Sequence, residues 1–292
     1  MTQKRLFVLL ALFSAITAGL FPQEPSDSLK QETGGAIESF DSKFSVGVNA
    51  KYNFLLFDDA EVNSQSNTPV FLGFSFGFRD YTLSFSIAQT YTYTPGPGTR
   101  PAFDAALGLY QKYWFEELSF KYYDDFKAND EPFAMRYLAG ALSGAYVFNA
   151  GNFSLPAVFR LNRVQRESAG SFIAGGNLRF FSLQSDALEK FHDRAWYVCA
   201  GPNAGYSYTF VTSNAFFINL YALGGVNFGL EPTRHDFVLT AFVNPRITVG
   251  MHFKTWSFNF VTQIDCTAFI FGDGKYHTFF YGAAAPGASK RF

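Results

Sequence analysis

Charge is scarce in this chain. Asp, Glu, Lys and Arg make up 16% of its 292 residues, against about 25% in soluble domains, too few for an ordinary water-facing surface. Neither sign dominates. The formal net charge is −1, so no basic field holds nucleic acid, which is not an expected partner. Histidine is rarer still: His192, His235, His252 and His277 lie far apart, and no His-x-x-x-His or Cys/His spacing suits a metal. No Gly-rich turn leads into a helix bearing Lys-Ser or Lys-Thr, so no phosphate cradle and no cofactor is expected. No motif orders a Ser and an acid around a particular His, so the chain does not read as an enzyme. After its first two dozen residues there is no run of about 18 apolar residues, and so no helical membrane span.

What the chain has in excess is aromatic surface: 20% of its residues, 38 of them Phe. It opens on MTQKRLFVLLALFSAITAG, with Lys4 and Arg5 ahead of the apolar run Leu6–Ile16 and a small-residue zone at Thr17-Ala18-Gly19. That pattern predicts a secretory signal peptide over residues 1–19. Residues 20–43 are polar and aperiodic, and read as a flexible periplasmic lead-in.

From residue 44 onward the chain alternates. In YTLSFSIAQTYTY, Tyr81, Leu83, Phe85, Ile87, Gln89, Tyr91 and Tyr93 share one face, while Thr82, Ser84, Ser86, Ala88, Thr90 and Thr92 share the other. A period of two is an extended strand. The same pattern marks 44–54, 70–79 and 256–270, and more weakly 103–112, 117–123, 136–149, 153–165, 170–183, 195–211, 215–229 and 236–253. Most of these strands run 10 to 18 residues, about twice the usual soluble length and right for a tilted membrane strand. Tight turns at Arg79-Asp80, Asn149–Asn152, Thr212–Asn214 and Lys254-Thr255 alternate with longer loops at 55–69, 94–102 and 124–132. One face is Phe, Leu, Val and Tyr; the other is Gly, Ser, Thr and Asn. Bulky apolar residues suit lipid, and the backbone is satisfied there only in a closed sheet.

Residues 44–292 therefore read as all-β: a transmembrane antiparallel up-and-down β-barrel of about twelve strands in the cell outer membrane. Its expected partners are outer-membrane lipid and the barrel-assembly machinery, to which the terminal aromatic Phe292 is a suggestive signal. Two features do not fit twelve simple strands. The long connection 182–194, in which SDALEKFHD suits a short helix, falls on the wrong side, and a further candidate strand at 275–281 makes the count odd. Both faults resolve if one segment between 136 and 183 is not a single barrel strand but a fold-back or two short strands. Pro156, Pro202 and Pro245 interrupt strand patterns and predict bulges or strand ends. Cys199 falls on the polar register and Cys266 on the lipid register, which predicts two free thiols.

One stretch carries a family likeness. Gln165-x-x-Ser168-Ala169-Gly170-Ser171, preceded by Tyr146-Val147-Phe148-Asn149 and Phe153-Ser154, resembles an uncharacterised bacterial family, domain of unknown function 4421. Ala204–Thr209, Tyr52-Asn53-Phe54 and Arg291-Phe292 agree with it, while Glu167 stands where a basic residue is expected. The resemblance implies a barrel-like envelope protein and no assigned activity.

The candidate lumen-lining charges are Lys51, Arg79, Arg160, Arg179, Arg246 and Asp265. Arg160, Arg163, Arg166 and Arg179 form the densest basic cluster. It would either focus anionic solutes through a polar passage or brace the wall by pairing with Asp104, Asp265 or Glu167. Two functions follow: a passive channel for small solutes, or a non-conducting structural or binding component of the envelope. A barrel hydrolase ranks below both.

Overall fold

The computed structural model describes residues 35–40, 42–58, 63–66, 70–88, 102–124, 126–128, 131–159, 161–185, 195–212, 216–232, 236–271 and 276–292. In chain order the strands begin with β1 (Ile37–Ser39), β2 (Phe44–Asp58), β3 (Asn63–Ser66), β4 (Val70–Phe78), β5 (Tyr81–Ala88) and β6 (Ala102–Tyr110). Next come β7 (Trp114–Tyr123), β8 (Phe126–Ala128), β9 (Glu131–Phe133), β10 (Met135–Val147) and β11 (Arg163–Gln165). The series ends with β12 (Ala169–Ser185), β13 (Ala195–Val211), β14 (Phe216–Leu230), β15 (Phe237–His252), β16 (Trp256–Phe271) and β17 (Tyr276–Arg291). Among the described residues there is one helix, α1 (Leu155–Phe159).

Twelve strands, β2, β4, β5, β6, β7, β10 and β12 to β17, pair antiparallel in sequence order, and β17 closes the ring onto β2. Following paired residues once round the wall from Phe44 returns to Asp58, fourteen positions further along β2. That stagger over twelve strands tilts them by roughly 40° and gives a wall roughly 24 Å across between backbones. A wall of that width lined with small residues would leave an open bore, so what fills it decides the function.

Alternation sorts the side chains as the sequence predicts. Phe74, Phe76, Leu83, Phe85, Ile87, Phe258 and Phe260 point outward and are exposed, as an apolar band covered by lipid requires. Near its two edges stand exposed rings: Trp256, Tyr81 and Tyr146 at one end, Trp196 and Tyr276 at the other.

The two ends differ. The turn end carries Arg79-Asp80, residues 111–113 and 253–255, and both ends of the barrel chain, where the backbones of Phe44 and Phe292 bond each other. The loop end carries the longer connections, and there β3, β8 and β9 extend the sheet beyond β2.

The structure corrects several expectations. Residues 153–165 are not a barrel strand: they form α1 and β11, folded inside the turn end between β10 and β12. That fold-back restores the even count, admits 276–291 as a full strand, and puts Ser185 and Ala195, the ends of β12 and β13, at the loop end. The alternation of Leu155, Ala157, Phe159 and Leu161 spans too few residues to exclude a helical turn, and Pro156 at its start suits a helix better than a strand interior. Residues 37–39, read as lead-in, are β1, paired antiparallel with β11. Pro202 and Pro245 are neither bulges nor strand ends. The register is unchanged on either side of them, and one ladder of each strand merely omits two consecutive residue pairs. Cys199 and Cys266 are both free. The signal peptide at 1–19, Gln89, Tyr91, Tyr93 and the helix in SDALEKFHD lie outside the described residues, Ser185 excepted, which closes β12.

Candidate functional site

The lumen is the candidate site, and three layers of inward side chains divide it. At the loop end the inward register is aromatic. Phe57 on β2, Phe71 on β4, Tyr123 on β7, Tyr137 on β10, Phe181 on β12, Tyr197 on β13, Phe269 on β16 and Phe279 on β17 are all buried in one cluster. The rings meet across the bore rather than only along the wall. Tyr137 stacks on Phe279 at 4.6 Å, Phe269 meets Phe279 edge-on at 5.5 Å, and Phe181 meets Phe269 edge-on at 4.2 Å. Each such pair adds about 0.5–1.5 kcal/mol beyond its buried area. The layer is a packed core.

At the turn end the bore holds the fold-back. Phe153 and Leu155 pack with Tyr110, Phe115, Ile173 and Tyr221, while Val158 and Leu161 pack with Phe217. Phe159 meets Tyr221 edge-on at 5.4 Å and Tyr110 at 5.9 Å. The segment is pinned by polar contacts as well. Arg291 donates to the carbonyls of Leu161 (2.7 Å) and Trp256 (3.0 Å), also bonds Phe253 and Ser257, and lies 3.6 Å over the ring of Phe40. Arg166 Nε reaches Glu38 at 2.7 Å beside the β1–β11 pairing. Ser154 caps α1, its Oγ accepting from the N–H of Ala157 at 3.3 Å.

Between these layers lies a polar waist. Asp104 on β6 gathers four donors: Lys51 Nζ at 2.5 Å, and Asn53 Nδ2, Tyr123 OH and Tyr281 OH each at 3.2 Å. Arg179 on β12 reaches across to β15 and β16. It donates to Thr267 Oγ1 at 3.1 Å, lies 3.9 Å from Asp265, and covers the ring of Phe242 at 3.6 Å. Asp265 in turn accepts from Thr267 Oγ1 at 3.0 Å. Lys121 on β7 crosses to β17 and sits 3.6 Å over the ring of Tyr281. Arg246 lies 4.6 Å over Phe159 and 5.7 Å over Tyr221, joining the waist to the fold-back. Side-chain exposures of 16% for Lys51, 17% for Arg179 and 21% for Asp265 show that the waist is less tightly filled than the layers around it.

Of the charges predicted for the lumen, Lys51, Arg179, Arg246 and Asp265 are there. Arg79 is not. It occupies the β4–β5 turn at φ 50°, exposed, with its guanidinium over the neighbouring Phe78 ring, because a two-residue hairpin lifts it off the wall. Arg160 lies outside the described residues, and the rest of its cluster disperses: Arg163 pairs with Asp80 at 3.9 Å and Arg166 with Glu38. Lys121 of the waist, and Glu117, which accepts from the Tyr110 hydroxyl of the turn-end layer at 2.7 Å, are not among the predicted charges. The alternation that turns Ser119 inward places both of them on the same face.

The profile of the family described as Domain of unknown function (DUF4421) matches residues 37–270. No curated protein sequence matches the chain significantly. Among solved structures, the transport unit of the autotransporter AIDA-I from Escherichia coli is similar at 8% identity and a TM-score of 0.37, over 97% of each chain. The P. putida toluene transporter TodX is similar at 8% identity and 0.27, over 89% of this chain and 90% of its own. Pseudomonas aeruginosa OccK1 (OpdK) is similar at 8% identity and 0.21, over 84% of this chain and 98% of its own.

Proposed function

The chain belongs to the DUF4421 family of domains of unknown function, and we propose that it serves as a non-conducting β-barrel component of the outer membrane. The exposed apolar band supports the membrane setting, since Phe, Leu and Ile displayed on this scale are stable only against lipid. One observation carries the closed reading: rings from opposite walls touch across the loop-end bore, with Tyr137 from β10 on Phe279 from β17. No hydrated ion passes stacked rings at van der Waals contact, so a conducting path needs this layer to come apart. The fold-back closes the turn end independently. In this orientation the turn end, with its short connections, faces the periplasm and the longer loops face outward.

The channel reading keeps one supporting feature, the partly exposed charges of the waist, but it requires both flanking layers to move. Planar-bilayer recording separates the two readings. The wild-type protein should stay silent, while the triple variant Tyr137→Ala, Phe269→Ala, Phe279→Ala should leak at least intermittently. Reproducible unitary steps from the wild type would sink the closed reading.

A further inference from the structure

The waist contains a cavity of about 60 Å³ lined by Lys121, Arg179, Asp265, Thr240, Thr267 and Tyr137 among others. A water needs roughly 10–15 Å³ on this measure, so the space takes one small ion with a few waters.

The charges around it do not balance. Asp104 is matched by Lys51, and both lie outside the cavity lining. Of the groups that line it, Arg179 and Lys121 are cationic and Asp265 is the single carboxylate. Asp265 is engaged by Arg179 at 3.9 Å and by Thr267. Lys121 has the Tyr281 ring beneath its ammonium, and no carboxylate of the described residues lies within 4 Å of it. Arg179 Nε is buried with no protein partner among the described residues. One positive charge is thus left over in a membrane-embedded, ring-capped space, where an uncompensated charge costs several kcal/mol. Two cations facing one void, each with unused donors, are the arrangement that binds an anion.

We infer that this cavity is a binding site for one small monovalent inorganic anion, of chloride or bromide size, held between the Lys121 ammonium and the Arg179 guanidinium. The Thr240 and Thr267 hydroxyls line the same space and complete a polar shell. The anion neutralises the excess charge and ties β7 to β12 and β16 across the bore. This role is independent of whether the barrel conducts.

The full chain folded in detergent provides the test, in chloride, bromide or gluconate at one ionic strength; gluconate is too large for the cavity. The melting temperature should be higher in chloride and bromide than in gluconate by roughly 2 to 4 °C. Crystals grown in bromide should show an anomalous peak beside Lys121 and Arg179. Lys121→Met should lose both signals. If that variant does not fold, the wild-type bromide map decides alone. Equal melting in all three salts with no bromide peak overturns the site, as does an anion dependence that survives unchanged in Lys121→Met.

Discussion

Asp104 shows what a single residue does in this lumen. Its carboxylate receives Lys51 and Asn53 from β2, Tyr123 from β7 and Tyr281 from β17, so one acid on β6 fastens three other strands. Lys51 and Asp104 retain side-chain exposures of only 16% and 11%, and removing one partner leaves the other charge poorly solvated. Replacing Lys51→Met should therefore destabilise the barrel by about 2–3 kcal/mol, somewhat below the full cost of breaking a buried pair. Asn53 and the two tyrosines still bond the carboxylate, which sets that discount. Equilibrium urea unfolding in phospholipid vesicles measures it, and a loss under about 0.5 kcal/mol would show that the neutral donors suffice. Glycine acts at the same scale. A Cβ at Gly205 would lie 2.0 Å from the carbonyl oxygen of Ala222, and one at Gly175 2.0 Å from that of Gly144. At these two positions, one between β10 and β12 and one between β13 and β14, only glycine lets the adjacent backbones lie this close.

The element that most shapes this barrel is the fold-back between β10 and β12. Its apolar side chains alone would hold it loosely, since α1 has five residues and a helix that short has little stability of its own. Leu161 adopts a left-handed φ of 57°. Its N–H turns back to Pro156 O at 3.1 Å, and its carbonyl is offered to Arg291. Arg291 thus joins the last barrel strand, the fold-back and Phe40 in one contact set. Arg291→Met should leave the wall folded while loosening the segment. Amide exchange in residues 155–165 should accelerate at least tenfold, with little change in the mid-strand amides of β13 and β14. Uniform acceleration across the barrel would instead make Arg291 a determinant of closure as a whole. Sequence alternation alone could not find this element, because Leu155, Ala157, Phe159 and Leu161 alternate as a strand would. The parity of the remaining strands showed only that some segment between 136 and 183 is not a single barrel strand, and left a fold-back and two short strands equally open.

At the scale of the whole molecule, membrane placement and closure are separate questions. Placement follows from the outer face. All three tryptophans stand near a rim: Trp114 and Trp256 at the start of strands rising from the turn end, and Trp196 near the loop end of β13. Indole rings favour the interface between headgroups and acyl chains. In vesicles, lipids brominated near the headgroup should quench their fluorescence more than lipids brominated at the chain terminus. The reverse order would place the bilayer elsewhere on the wall. The proposal of a closed barrel rests on the inner face, where ring-sized residues at the loop end and the fold-back at the turn end occupy a bore that twelve strands would otherwise leave open.

The amino-acid sequence by itself determined the period-two pattern, the strand lengths and which face of each strand meets lipid, because a side chain's face is fixed by its parity within the strand. The same parity was enough to place Lys51, Arg179, Arg246 and Asp265 in the lumen and Cys199 and Cys266 on opposite faces of the wall. What only the tertiary structure decided is which inward residues meet. Lys121 reaches Tyr281, Arg179 reaches Asp265 and Tyr137 reaches Phe279 because a fourteen-residue stagger brings distant parts of the chain to one height in the bore. Stagger is a property of closure around the whole ring, and no single strand carries it. For that reason the sequence could say that the lumen is polar in part, and only the fold could say that aromatic rings pack at one end and the fold-back at the other.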